Sequence, residues 1–231
     1  MPKNVNSEIE AMSERMLTTL ERKTDPSHTA LIVVDVQNDY CAKGGALDEE
    51  GQDIRLIQVM VPRLLNFIRK AREVGLTIIY SRSVYSWEGG HYMSEAFFEQ
   101  QTRWARGRYT EYPFCKQGSW GTDFYDGIAP LPEEVVVSKH RFSAFTDTDL
   151  DLILRSRGIR TLIMTGVTTN VCVETTIRDG FCRDYYIVLL KDCTAAVSEE
   201  LHNNSVRTIE LYFGEVVDSR DVLTKLSKEV L

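Results

Sequence analysis

Three residue types set far apart in this chain could together perform acyl transfer: an aspartate at 35, a lysine at 139 and a cysteine at 172. Cys172 stands in Gly166-Val167-Thr168-Thr169-Asn170-Val171-Cys172-Val173-Glu174-Thr175-Thr176, just after the apolar run Leu162-Ile163-Met164-Thr165. That run reads as a buried strand, and Cys172 to Arg178 reads as the first turns of a helix. A cysteine at such a junction meets unpaired N–H groups and the positive end of a helix dipole. The setting is expected to favour thiolate over thiol, and the same N–H groups suit the oxyanion formed when sulfur attacks a carbonyl. Asp35 closes the run Ala30-Leu31-Ile32-Val33-Val34, and Lys139 follows Val135-Val136-Val137-Ser138. In this reading Cys172 attacks, while Asp35 takes the thiol proton and later passes it to a leaving nitrogen. Lys139 holds Asp35 ionised and adds positive potential at the sulfur. Each residue also has a plainer explanation: an inert buried cysteine, a turn aspartate, a solvated lysine. Their placement beyond three strands of one sheet favours the chemical reading.

The elements that must position them alternate regularly. A strand at 30–34 precedes helical apolar spacing over 53–74 (Ile57, Val61, Leu64, Leu65, Ile68, Ala71), with Gly75 at the helix end. Further strands are expected at 77–80, 135–137, 161–165, 186–190 and 215–217, with helices at 147–156, after Cys172 and at 198–213. Continuous apolar strands alternating with helices predict an α/β fold: a three-layer αβα, doubly wound, mostly parallel six-stranded sheet. Ligand sites in such sheets lie beyond the carboxyl ends of the strands. Residues 83–130 are long, irregular and rich in aromatics (Trp87, Tyr92, Phe97, Phe98, Trp104, Trp120), as expected of a lid or a segment with short helices. The polar stretch 1–28 reads as an N-terminal arm, and 29–231 as one domain.

Bulk properties narrow the function. The net charge of −7, without a basic stripe, argues against a nucleic-acid partner. No apolar run approaches a membrane span and no signal-peptide pattern opens the chain, so no membrane partner is expected. Five cysteines, at 41, 115, 172, 182 and 193, form no CxxC, which suggests reduced thiols in a cytoplasmic protein. No G-x-G-x-x-G follows the first strand, where Asp35-Val36-Gln37 stands instead, so no dinucleotide cofactor is expected.

Three motifs in order, Leu31-Ile32-Val33-Val34-Asp35-Val36-Gln37-Asn38-Asp39-Tyr40, Ser138-Lys139-His140-Arg141-Phe142-Ser143-Ala144-Phe145 and Thr165-Gly166-Val167-Thr168-Thr169-Asn170-Val171-Cys172-Val173, resemble those of the isochorismatase-like cysteine hydrolases. The resemblance implies an Asp35–Lys139–Cys172 triad, a cis peptide between Val167 and Thr168, and an oxyanion hole of the Thr168 and Cys172 backbone N–H groups. It also implies a homo-oligomer. Within the family, Gly118-Ser119-Trp120, the run 152–160, the segment 174–181 and Phe213-Gly214 look most like ureidoacrylate amidohydrolases, which cleave a ureido group in pyrimidine breakdown. Between 82 and 117 the likeness weakens: those enzymes carry an amide and an aromatic after the second strand, where this chain has Arg82-Ser83-Val84-Tyr85.

Several candidates remain open for contacts to a small-molecule substrate. Arg82 and Arg141 would either hold a substrate carboxylate or serve as surface arginines. Tyr85, Trp87 and Trp120 would close the pocket or simply pack. Gln37, Asn38 and Asp39 are candidates for polar support around Asp35, with Asp39 favoured. Nicotinamidases add a metal bound through an Asp-x-His pair, and none of His28, His91, His140 and His202 stands in that pattern. No metal site is therefore expected. Biuret, N-carbamoyl compounds, nicotinamide and isochorismate remain alternative substrates, and a non-catalytic binding module of the same fold is the alternative from a different class.

Overall fold

The computed structural model of the chain describes residues 5–85, 92–104, 110–111 and 113–226. Trp87 and His91 lie outside the described residues. Six strands form one parallel sheet: β1 (Thr29–Val34), β2 (Thr77–Ser83), β3 (Val135–Lys139), β4 (Thr161–Val167), β5 (Tyr186–Ala195) and β6 (Glu215–Val217). Every strand matches an apolar run read from the sequence, and every pairing is parallel. The spatial order is β3-β2-β1-β4-β5-β6. The chain thus builds outward from β1 to β3, then returns to lay β4 on the other side of β1. That reversal opens a crevice beyond the ends of β1 and β4, the expected ligand position in this architecture.

The helices of the described residues are α1 (Val5–Arg15), α2 (Leu20–Lys23), α3 (Asn38–Cys41), α4 (Ala46–Glu49), α5 (Arg55–Glu73), α6 (Glu95–Trp104), α7 (Leu150–Ser156), α8 (Glu174–Phe181), α9 (Glu199–Tyr212) and α10 (Ser219–Leu226). Alternation along the central strands splits the core in two. Leu31, Val33, Ile78, Tyr80, Val188 and Leu190 pack against α5 and α10, whereas Ala30, Ile32, Ile79, Leu162, Met164 and Leu189 pack against α7, α8 and α9. The α5 residues Ile57, Met60, Val61, Leu64, Phe67, Ile68 and Ala71 recur at helical spacing and are all buried. Gly75 follows that helix with φ +71, a left-handed value that ends it cleanly.

Strand β4 approaches β1 through a glycine. Gly166 pairs with Val34, has φ +102, and a Cβ there would sit 2.1 Å from the Val34 carbonyl oxygen. Only glycine fits this crossing point, which lies six residues before Cys172. The segment expected to be irregular between 83 and 130 carries α6, an amphipathic helix that turns its Gln101 side inward.

Candidate active site

Asp35 follows β1 with φ +50, a left-handed conformation that aspartate tolerates better than most residues. Its N–H donates to the Ser81 carbonyl (3.0 Å), and its own carbonyl accepts from the Gln37 N–H (2.8 Å), so a tight turn aims the carboxylate across β2. Two hydroxyls of β2 meet it there. Ser81 Oγ donates to Oδ1 and Ser83 Oγ to Oδ2, both at 3.1 Å. Ser81 and Ser83 share a face because alternate strand residues do, and Arg82 between them points to the other side.

Lys139 ends β3, two strands away from Asp35. Neighbouring strands stand about 4.8 Å apart, so only a long side chain spans β2 to reach the carboxylate. The Lys139 ammonium lies 2.6 Å from Asp35 Oδ2, with both side chains fully buried. It also donates to Ser83 Oγ (2.9 Å) and the Arg141 carbonyl (3.0 Å), and stands 3.4 Å from Cys172 Sγ. Burial alone would push the ammonium pKa down, but the Asp35 carboxylate and Cys172 more than offset that and hold it above its ordinary value.

Cys172 lies in a π-helical turn, Thr169–Val173, and α8 begins only at Glu174. The turn is tied down on both sides. The Cys172 carbonyl accepts from Thr176 Oγ1 (2.7 Å), which itself accepts from the Ala144 N–H (3.0 Å). Thr169 Oγ1 pairs with His202 Nδ1 of α9 (2.9 Å). The peptide between Val167 and Thr168 is cis, as the resemblance implied. Among the described residues no acceptor takes the Thr168 N–H. The expected low thiol pKa is corrected here. Burial pushes Cys172 up to about 12, Lys139 pulls against that, and Asp35 adds to the rise. Burial thus favours the protonated thiol in the substrate-free site, against the pull of Lys139.

Above the sulfur lies a cavity of about 180 Å³ lined by Cys172, Thr168, Asn170 and Val171 on one side and by Tyr40, Tyr85, Trp104, Phe114 and Phe142 on the other. Gln100 and Gln101 of α6 bring amide groups to it, and Val197 and Leu201 complete its apolar wall. A small, largely apolar cavity with a thiol in its wall, and a buried carboxylate–ammonium pair behind that thiol, is arranged for attack on a small carbonyl compound.

The isochorismatase-domain family model matches residues 29–221. The chain belongs to the isochorismatase family. It is 37% identical over 204 residues to a ureidoacrylate amidohydrolase RutB of Methylobacterium radiotolerans, covering 84% of this chain and 78% of that one. A ureidoacrylate amidohydrolase RutB of Cronobacter sakazakii is 36% identical over 212 residues, with 89% and 91% covered. Among solved structures, a cysteine hydrolase of Pseudomonas syringae pv. phaseolicola superposes with a TM-score of 0.72 at 29% identity, covering 88% of this chain and 94% of that one. This isochorismatase-family member is accordingly a hydrolase with the α/β fold expected from its sequence.

The remaining candidates fall into place around this family core. Tyr85 is buried and lines the cavity. Gln37 is fully buried but faces away from the cavity: its amide accepts from the Ser83 N–H (2.8 Å) and donates to the carbonyls of Ser83 (2.9 Å) and Thr122 (2.8 Å). Asp39, the favoured support for Asp35, instead accepts from the backbone N–H groups of Cys115 (2.6 Å) and Ala46 (3.1 Å), and burial raises its pKa. It ties the 114–115 wall to α4. Arg82 bonds Ser138 Oγ (3.2 Å) on the far face of the sheet. The Arg141 guanidinium donates to the Tyr92 carbonyl (2.7 Å) and lies over Phe97, so what it offers the site is its own carbonyl, to Lys139. Trp120 is 55% exposed and outside the lining; its carbonyl accepts from Asn38 Nδ2 (2.8 Å). Among the described residues no three His, Cys, Asp or Glu side chains converge as a metal site. Sequence reasoning missed Ser81 and Ser83. Two serines spaced by two at the end of a strand beside Asp35 were the available signal.

Proposed function

We propose that this hydrolase is a cysteine amidohydrolase that cleaves the C–N bond of a small ureido or amide substrate through a thioester on Cys172. The observation that carries the reading is the buried Lys139 ammonium, 2.6 Å from Asp35 and 3.4 Å from the Cys172 sulfur that lines the cavity. As the sulfur attacks the substrate carbonyl carbon, its proton passes to Asp35, so thiolate charge develops only in the transition state. Lys139 stays protonated and faces that charge. The carbonyl electron pair becomes an oxyanion, for which the backbone N–H groups of Thr168 and Cys172 are the donors. Collapse re-forms the carbonyl and breaks the C–N bond, and the Asp35 proton goes to the departing nitrogen. Water then attacks the thioester with Asp35 again as base, releasing the acid and restoring the thiol.

The names of the 36–37% identical relatives support a ureido substrate such as ureidoacrylate, and the cavity size suits a molecule of that scale. Attack on a ureido carbonyl would leave a carbamoyl thioester, and its hydrolysis gives carbamate, which decays to ammonia and carbon dioxide. On this reading the enzyme needs no metal or organic cofactor and works as a cytoplasmic homo-oligomer; the free state of all five cysteines suits a reducing compartment.

The test is ammonia release from a panel of ureidoacrylate or a stable ureido analogue, biuret, N-carbamoyl amino acids and nicotinamide, before and after dialysis against a chelator. Release from a ureido compound, unchanged by the chelator, is the expected result. Release from nicotinamide alone, or a loss reversed by adding metal, would overturn the assignment.

A further inference from the structure

We infer that Ser83 is a positioning residue, a hydroxyl that sets the Lys139 ammonium and the Asp35 carboxylate in the one arrangement that serves Cys172. The inference rests on the cysteine mechanism proposed above and adds a residue to it. Ser83 Oγ accepts from Lys139 Nζ (2.9 Å) and donates to Asp35 Oδ2 (3.1 Å), so one hydroxyl bridges both partners of the ion pair. The polarity is matched: a serine hydroxyl has one proton to give and lone pairs to receive one. Lys139 has three N–H donors, and Asp35, Ser83 and the Arg141 carbonyl can occupy all three. Cys172 Sγ at 3.4 Å is then the fourth neighbour, close enough to feel the charge without drawing the ammonium off Asp35.

The hydroxyl is itself held rigidly. Gln37, two residues beyond Asp35 on the same turn, grips the Ser83 backbone at both its N–H (2.8 Å) and its carbonyl (2.9 Å). The β2–β3 register sets Ser83 beside Lys139, and the β1–β2 register sets Val34 beside Ser81. Ser83 is fully buried, and its hydroxyl is engaged by Asp35 and Lys139. Without its hydroxyl, one ammonium N–H loses its acceptor and Asp35 Oδ2 loses a donor, so two of the bonds that fix the pair's placement against the sulfur are gone. Misplacement of reacting groups by about 1 Å costs on the order of a hundredfold in rate.

The experiment compares wild type, S83A, S83C, S83T and C172A in two assays: steady-state turnover of the best panel substrate, and the alkylation rate of Cys172 by iodoacetamide, read by peptide mass spectrometry. S83A is expected to lose roughly ten- to a hundredfold in kcat at an unchanged KM, with a parallel fall in Cys172 alkylation. S83C, similar in shape but a poor hydrogen-bonding partner, should behave like S83A, and S83T, which keeps the hydroxyl, should recover most of both rates. A merely structural serine would lower the melting temperature and leave kcat and alkylation untouched. Wild-type rates in S83A or S83C, measured on folded protein, would overturn the inference. Should S83A fail to fold, the contrast of S83C with S83T decides it. Full turnover by C172A would instead overturn the thiol mechanism itself, so the two failures are distinguishable.

Discussion

Replacing Lys139 with methionine tests the ion pair on which the site is built. Both side chains of the Lys139–Asp35 pair have no solvent exposure, so water does not screen their attraction. Methionine matches the stem of lysine and leaves the Asp35 carboxylate buried without its cation, facing the hydroxyls of Ser81 and Ser83. Removing one partner of a buried pair costs about 3–5 kcal/mol. For a chain of this size each kcal/mol lowers the melting temperature by roughly 2–4 °C, so a fall of about 6–20 °C is expected. The double variant D35N/K139M removes both charges. Asparagine adopts the left-handed φ of +50 found at this position and keeps both serines bonded, so it should regain most of the loss, to within about 1–2 kcal/mol of wild type. Melting curves at neutral pH for the wild type, both single variants and the double variant close a thermodynamic cycle. The sign with pH follows from the lysine. Burial would depress its pKa, but Asp35 and Cys172 raise it above the ordinary 10.5, so the pair's contribution is complete below that value and fades as pH rises through the higher folded-state value. The K139M deficit should accordingly be flat from neutral pH to mildly alkaline pH. A K139M protein melting with the wild type, or a double variant as unstable as the sum of the singles, would refute the reasoning.

Gly166→Ala should lose several kcal/mol, about 2–6 from the left-handed backbone and the overlap with Val34 together, seen as a large drop in melting temperature; a near-wild-type melt would contradict the close β1–β4 crossing. Because burial holds the Cys172 thiol up at about 12, its alkylation by iodoacetamide in the free enzyme should keep climbing with pH through the alkaline range. A plateau already reached near neutral pH would instead reveal a preformed thiolate–Lys139 pair. Arg82→Ala should leave kcat and KM within about twofold, as expected of a surface substitution away from the site; a tenfold rise in KM would return Arg82 to the substrate.

The central strands were legible because strands buried on both faces must be continuously apolar, and the shorter apolar runs at 135–137 and 215–217 became the half-exposed edge strands. Asp35, Lys139 and Cys172 were legible because each ends or follows one of those runs with a reactive group. What escaped the reading lay in three dimensions. Asp39 and Gln37 are both polar residues in one turn after Asp35, and only the register of β2 decides that Gln37 grips Ser83 while Asp39 turns to Cys115 and Ala46. The sequence leaves Arg82 between a substrate role and a surface role, and strand alternation sends it to the face opposite Ser81 and Ser83, where it bonds Ser138. The helix start read from the sequence carries no information on depth of burial, and burial pushes the Cys172 thiol up against the positive charge nearby. The aromatic stretch disclosed neither α6 nor which rings face the sulfur, since its apolar spacing does not distinguish a lid from core packing.

The central claim is that the Cys172 sulfur is the nucleophile, and the most direct measurement is turnover by C172A and C172S beside wild type. Each variant would be assayed on the ureido substrate found in the ammonia panel and checked for the wild-type melting profile. The account predicts folded proteins without detectable ammonia release above the uncatalysed rate, because neither a methyl group nor an unactivated hydroxyl forms the thioester. Substantial turnover by folded C172A would contradict it.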